Sequence, residues 1–142
     1  MFVLDTDHLT IVQQQAMPAY EYFLQRMSQH APSAFFVSII SFHEQVIGWN
    51  ASLSRATSAA AVVRGYERLG RVLANFSTAQ VLPFDEAAAT MFDDFRTQRV
   101  RIGVMDLRIA AIAFSRDMTV LTRNVSDFRR VPGLKVEDWT LP

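Results

Sequence analysis

Short, dense apolar runs alternate with longer stretches of helical pattern from one end of this chain to the other, and that alternation restricts the fold more than any other feature. The runs are Phe2-Val3-Leu4, Phe35-Phe36-Val37-Ser38-Ile39-Ile40, Gln80-Val81-Leu82 and Thr119-Val120-Leu121-Thr122. Each is brief and rich in β-branched or aromatic residues, as strands buried on both faces are. Leu134-Lys135-Val136, after Pro132-Gly133, reads as a further strand at the sheet edge. Between the runs lie segments of helical character over 7–29, 42–53, 56–76, 85–100 and 105–117. Segment 56–76 sets Ala60, Val63, Leu69, Val72, Leu73 and Phe76 among Arg64, Glu67, Arg68 and Arg71, an amphipathic arm or packing surface. Strands alternating with helices predict an α/β domain: a mostly parallel central sheet of four to five strands, flanked by helices on both faces. With 142 residues, half of them hydrophobic, and no repeat or linker, the chain is expected to form a single domain over 1–142.

The sequence has no cysteine, which excludes disulfides, thiolate metal sites and a cysteine nucleophile. Any metal must sit on oxygen or histidine. Met1-Phe2-Val3-Leu4-Asp5 reaches an acid before a signal peptide can form, so a cytoplasmic location is expected. The longest apolar candidate, Ala31 to Phe42, is interrupted by Pro32 and serines and falls short of the roughly 18 residues a membrane span needs. Net charge is zero, yet its distribution is uneven: residues 1–63 carry two arginines against four acids, and residues 64–142 carry twelve basic residues against ten acids. Lys135 is the only lysine, and arginine suits bidentate contacts to phosphate or carboxylate.

The acids fall where such a fold places chemistry. Asp5 directly follows the first strand, and Glu44 follows the second at the start of the next helix. Asp106 opens the helix from Met105 to Arg116, and Asp127 comes just after strand 119–122. All four point to one rim, the crevice beyond the carboxyl ends of the strands. Carboxylates crowded there repel, and a hard divalent cation such as Mg²⁺ relieves the repulsion while keeping waters for chemistry. Structural alternatives stand beside this reading. Ser41-Phe42-His43-Glu44 fits a capping box, Asp106 complements a helix dipole, and Asn124 with Asp127 fits an N-cap pair. Asp5 resists that treatment, because it ends a hydrophobic strand and is followed by a second acid, Asp7.

These residues resemble the PIN-domain nucleases and, within them, the VapC toxins of bacterial toxin–antitoxin pairs. The matching pieces are Phe2 to Asp7, Ser38 to Glu44, Ile102 to Ala111, Leu121 to Phe128 and Val131 to Trp139, in the family's order along the whole chain. The Gly103-x-x-Asp106-x-x-Ile109-Ala110-Ala111 block is the most specific, its small residues letting the helix sit close to the sheet. Two positions depart from the pattern: Asp7 stands where the family more often has asparagine, and Asn124 is neutral where some members carry an acid.

The resemblance implies a metal-dependent endoribonuclease. Asp5, Glu44, Asp106 and Asp127 would bind one or two Mg²⁺ or Mn²⁺ ions and activate water for in-line attack, leaving a 5′-phosphate and a 3′-hydroxyl. Asp127 takes the last ligand position, and Thr122, Asn124 and Asp7 would orient carboxylates or water from behind the ligands. A structured RNA, transfer or ribosomal, is the implied substrate, with Arg108, Arg123, Arg129 and Arg130 near the rim to meet phosphates. The implied partners are a VapB-like antitoxin and a second copy in a homodimer. His8, His30 and His43 offer no persuasive general base, since His43 should turn about 100° away from Glu44 on a helix. Two other readings compete. A haloacid-dehalogenase-type phosphotransferase is suggested by Asp5-Thr6-Asp7 but lacks a suitably placed lysine, and a decayed PIN-like binding module would keep the fold without metal.

Overall fold

Every apolar run becomes a strand: β1 (Phe2–Leu4), β2 (Phe35–Ser38), β3 (Val81–Leu82), β4 (Thr119–Leu121) and β5 (Lys135–Glu137). The computed structural model describes residues 1–142 and joins these strands into one sheet, in the order β3-β2-β1-β4-β5 with every neighbouring pair parallel. Leu4 lies in register with Val37 on one side and Leu121 on the other, so β1, β2 and β4 deliver their following residues to the same edge.

Seven α-helices connect the strands: α1 (Thr6–Gln14), α2 (Ala19–Met27), α3 (Ile39–Ser54), α4 (Ala59–Ser77), α5 (Glu86–Thr97), α6 (Val104–Ser115) and α7 (Val125–Phe128). The two-residue side-chain period of the strands divides the core. Val3, Val120 and partly buried Phe36 face α5 and α6, whereas Leu4, Leu121, Phe35 and Val37 face a cluster with Leu9, Phe23, Val72 and Phe76. Helices therefore cover both faces, as the alternation predicts. Ile109 through Ala113 are wholly buried, and the alanines let α6 press against the sheet and fix the height of its amino-terminal turn. No helix is long and apolar enough to cross a membrane.

The structure corrects two boundaries and one cap. Segment 7–29 is two helices rather than one, because Pro18 lacks an amide hydrogen and restricts Met17, and Gln15 closes α1 in a left-handed conformation. The strand expected through Ile40 stops at Ser38, whose hydroxyl accepts the Ser41 amide at 3.2 Å and starts α3 at Ile39. The capping-box reading of Ser41 and Glu44 fails for the same reason. The cap lies three residues earlier, and Glu44 sits beyond it, free for another contact. Gly133, at φ 79°, makes the turn into β5 in a backbone region that glycine enters without strain.

Candidate active site

Asp5 is built into the place where the sheet changes direction. Strands β2 and β3 extend to one side of β1, and β4 and β5 to the other, which makes the end of β1 the switch point. Asp5 caps α1, its Oδ1 accepting the Thr6 amide at 2.7 Å, and its Oδ2 accepts the Thr122 hydroxyl at 2.8 Å. Only 5% of the residue is exposed, and no basic side chain pairs with it. Burial above all, then the charge of Asp7, raises its pKa to about 7 despite the bonds from Thr122 and Thr6; Asp106 adds to the rise.

The other acids arrive from separate elements, Glu44 and Asp106 held by neutral donors and Asp127 by a neutral donor and by Arg130 Nη2 at 3.6 Å. Glu44, in the second turn of α3, accepts the Thr6 hydroxyl at 2.8 Å. Asp106, in the first turn of α6, accepts from the Asn124 amide nitrogen at 3.3 Å, and the same nitrogen lies 3.1 Å from Asp127 Oδ2 on α7. Asn124 thus bridges two carboxylates. It makes no side-chain cap to α7, so its expected capping role is replaced by this bridge. Burial first, then the charge of Glu44, raises the Asp106 pKa; Asp127 and Asp7 also push it up while Asn124 opposes them.

Asp7 behaves oppositely. Burial raises its pKa, but bonds from the His8 ring at 2.9 Å and the Arg123 amide at 2.9 Å outweigh that and lower it. The two neighbouring carboxylates are therefore pushed in opposite directions, Asp5 up and Asp7 down. His8 is wholly buried. Its Nε2 accepts the Trp139 amide at 3.2 Å, which assigns the ring proton to Nδ1 and makes Nδ1 the donor to Asp7.

The structure thus gathers Asp5, Asp7, Glu44, Asp106, Asp127, Thr122 and Asn124 at one rim. The arginines divide. Arg108 and Arg130 line a groove of about 660 Å³ whose lip is Asp127, with Arg96 and Phe92 on its α5 wall. Arg123 contributes its backbone amide to Asp7, and neither its side chain nor Arg129 lines that groove. Thr6 is a rim position that sequence reasoning missed, and His8, weighed there only as a general base, braces Asp7 and Trp139 instead. Thr6 links α1 to Ser41 at 3.0 Å as well as to Glu44, a contact invisible until α1 and α3 are known to be adjacent.

The donor set suits a hard cation, because it is carboxylate oxygen throughout and the repulsion within it is not answered by a buried base. As placed, no three such side chains close directly on one point. Their oxygens are turned instead to Thr6, Thr122 and Asn124.

No protein-family profile matches the chain. It is 32% identical over 111 residues to the tRNA(fMet)-specific endonuclease VapC of Salmonella typhimurium, a match covering 75% of this chain and 76% of that protein. It is 43% identical over 60 residues to the ribonuclease VapC of Rickettsia bellii, covering 39% of this chain and 45% of that one. DNA-bound VapBC from Salmonella typhimurium superposes with a TM-score of 0.76 at 27% identity, over 97% of both chains. VapBC-1 from nontypeable Haemophilus influenzae gives 0.74 at 22% identity, over 99% of this chain and 98% of that one, and speaks for the fold alone. The parallel sheet with acids at its switch point is that of a PIN domain. Within that class, the chain belongs to the VapC family of ribonuclease toxins.

Proposed function

We propose that this protein is a Mg²⁺- or Mn²⁺-dependent endoribonuclease, the toxin of a VapBC-type pair, that cuts transfer RNA or a structured loop of ribosomal RNA. The observation that carries this reading is the convergence of Asp5, Glu44, Asp106 and Asp127 at the strand-end rim, each held by a neutral donor. When bound, a divalent cation supplies water activation and neutralises charge on the phosphate. The chain's own residues then have defined tasks. Thr122 aims Asp5, Thr6 aims Glu44, and Asn124 donates to both Asp106 and Asp127 and holds the two carboxylates in place. Arg108 and Arg130, beside Asp127, are placed to meet phosphates on one flank of the cut.

Relatives named as tRNA(fMet)-specific endonucleases and as ribonucleases support the substrate class, and the VapBC structures support a VapB-like antitoxin. An exposed apolar row on α4, Val62, Tyr66 and Leu73, offers a surface for that antitoxin or for a second copy in a homodimer. The test is incubation of the purified protein with a transfer RNA pool and with ribosomal RNA, followed by sequencing of the ends. A small set of preferred cuts bearing 5′-phosphates supports the reading; scattered cuts, or cuts equally frequent with Asp106→Asn, would sink it.

A further inference from the structure

A second groove, of about 550 Å³, lies between α1, α3 and α4. Thr10, one turn beyond the Thr6 that touches Glu44, lines it, as does Gln45, the residue after Glu44, which sets the groove next to the carboxylates. Gln13 and Gln45 pair through their amides at 2.8 and 3.3 Å and tie α1 to α3 across its floor. From Thr6 to Gln13 is a run of roughly 10 Å along the helix axis.

The lining chemistry is selective. Trp49 of α3 presents a half-buried ring, with the Arg68 guanidinium 5.4 Å from its centroid. Arg68 and Arg71 line the groove from α4, and a continuation past Trp49 adds Arg55 and Arg64. The spacing of 64, 68 and 71 puts these α4 arginines on one stripe, apart from the apolar row of Val62, Tyr66 and Leu73. No carboxylate lines either part, and none of the four arginines joins a salt bridge. An aromatic face beside unneutralised arginines, with amides to hand, is the chemistry that holds single-stranded nucleic acid: bases stack on the ring and arginines follow the phosphates.

We propose that the α1/α3/α4 groove is a binding track for the single-stranded RNA segment that flanks the cut, with Trp49 as its stacking platform and Arg68 and Arg71 as its phosphate contacts. The placement beside the cut rests on the nuclease reading above; the RNA-binding property does not.

The experiment measures binding of a labelled oligouridylate longer than the groove, by anisotropy in EDTA so that affinity is read without cleavage. Trp49→Ala is expected to weaken binding roughly tenfold and Trp49→Phe to restore most of it. Arg68→Ala with Arg71→Ala should lower the slope of log affinity against log salt by about 1.4, near 0.7 for each phosphate that is no longer neutralised. Gly48→Glu supplies a variant whose folding is not in question. A Cβ there meets nothing within 4 Å, and glutamate is the better helix former, so the change fills the groove and adds a repelling charge without disturbing the core. Lys135→Ala, which removes a charge paired with Asp117 far from the groove, should leave affinity unchanged. Unchanged affinity in Trp49→Ala and Gly48→Glu overturns the proposal. So does a change in self-association by light scattering with RNA affinity intact, which would make the groove a subunit contact. Loss of binding in these variants from a wild type that cleaves no RNA with Mn²⁺ upholds the groove and overturns the nuclease reading instead.

Discussion

The hydroxyl of Thr122 stands 2.8 Å from Oδ2 of Asp5, joining the residue after β4 to the residue after β1 across the switch point of the sheet. Thr122 Oγ1 also accepts the Asn124 amide at 3.0 Å. One side chain thereby sets the buried carboxylate and the loop that brings Asn124 to Asp106. Thr122→Val keeps the shape but leaves an amide and a carboxylate without a partner. It should cost about 1–3 kcal/mol in urea unfolding and reduce cleavage, and Thr122→Ser should recover most of both.

Asp5 makes the fold sensitive to pH. Its pKa stands at about 7 in the folded protein against an ordinary value of 3.8, so between those values the native state binds more protons than the unfolded chain. Stability should therefore fall as pH rises from about 4 to about 7 and level off above, the interval corresponding to about 4 kcal/mol. Asp5→Asn removes the share of that slope that Asp5 contributes, leaving the smaller one from Asp106, and should be the more stable protein at pH 8. Urea unfolding of both proteins across this range, without metal, checks the sign; parallel curves would contradict it.

Asn124 offers a test of charge at the rim. Asn124→Asp places a further carboxylate near oxygens of Asp106 and Asp127, now 3.3 and 3.1 Å from its amide nitrogen. Without metal the variant should melt several degrees lower, and Mn²⁺ should raise its melting temperature more than it raises that of the wild type. A variant that melts as the wild type does and gains no more from Mn²⁺ would show that these oxygens do not share an ion.

His8 ties the site to the carboxyl-terminal segment. Its ring is wholly buried, donates to Asp7 and accepts from the Trp139 amide, and Trp139 packs among Phe2, Phe23, His30 and Phe35. His8→Ala should lose about 3 kcal/mol of stability, from the void and the orphaned amide together. Tryptophan fluorescence during unfolding reports whether Trp139 detaches first. A variant as stable as wild type would contradict the structural role assigned to this histidine.

The convergence of these acids is legible in the sequence because Asp5 directly follows a strand, Asp106 and Asp127 lie in the first turns of helices and Glu44 in the second turn of the helix after β2, and the parallel strands bring those positions to one edge. Asp5, Glu44, Asp106 and Asp127 are readable for that reason. Pro18 carries the signal for the break between α1 and α2, but the surrounding helical pattern masks it. Thr6 and the Trp49 groove are of another kind. The role of Thr6 depends on α1 lying against α3, and the groove on α4 folding back over both; no local pattern encodes either contact. The role of His8 likewise needs Trp139 to return from the far end of the chain.

The most direct test of the central claim is cleavage of a defined RNA by the purified protein in Mg²⁺ or Mn²⁺ against EDTA, with Asp5→Asn and Asp106→Asn beside the wild type. Both substitutions relieve repulsion, so neither should unfold the protein, and loss of activity reports on chemistry. Cleavage by the wild type only, and only with metal, is the predicted result. Cleavage that persists in EDTA or in either variant would contradict the assignment of these carboxylates.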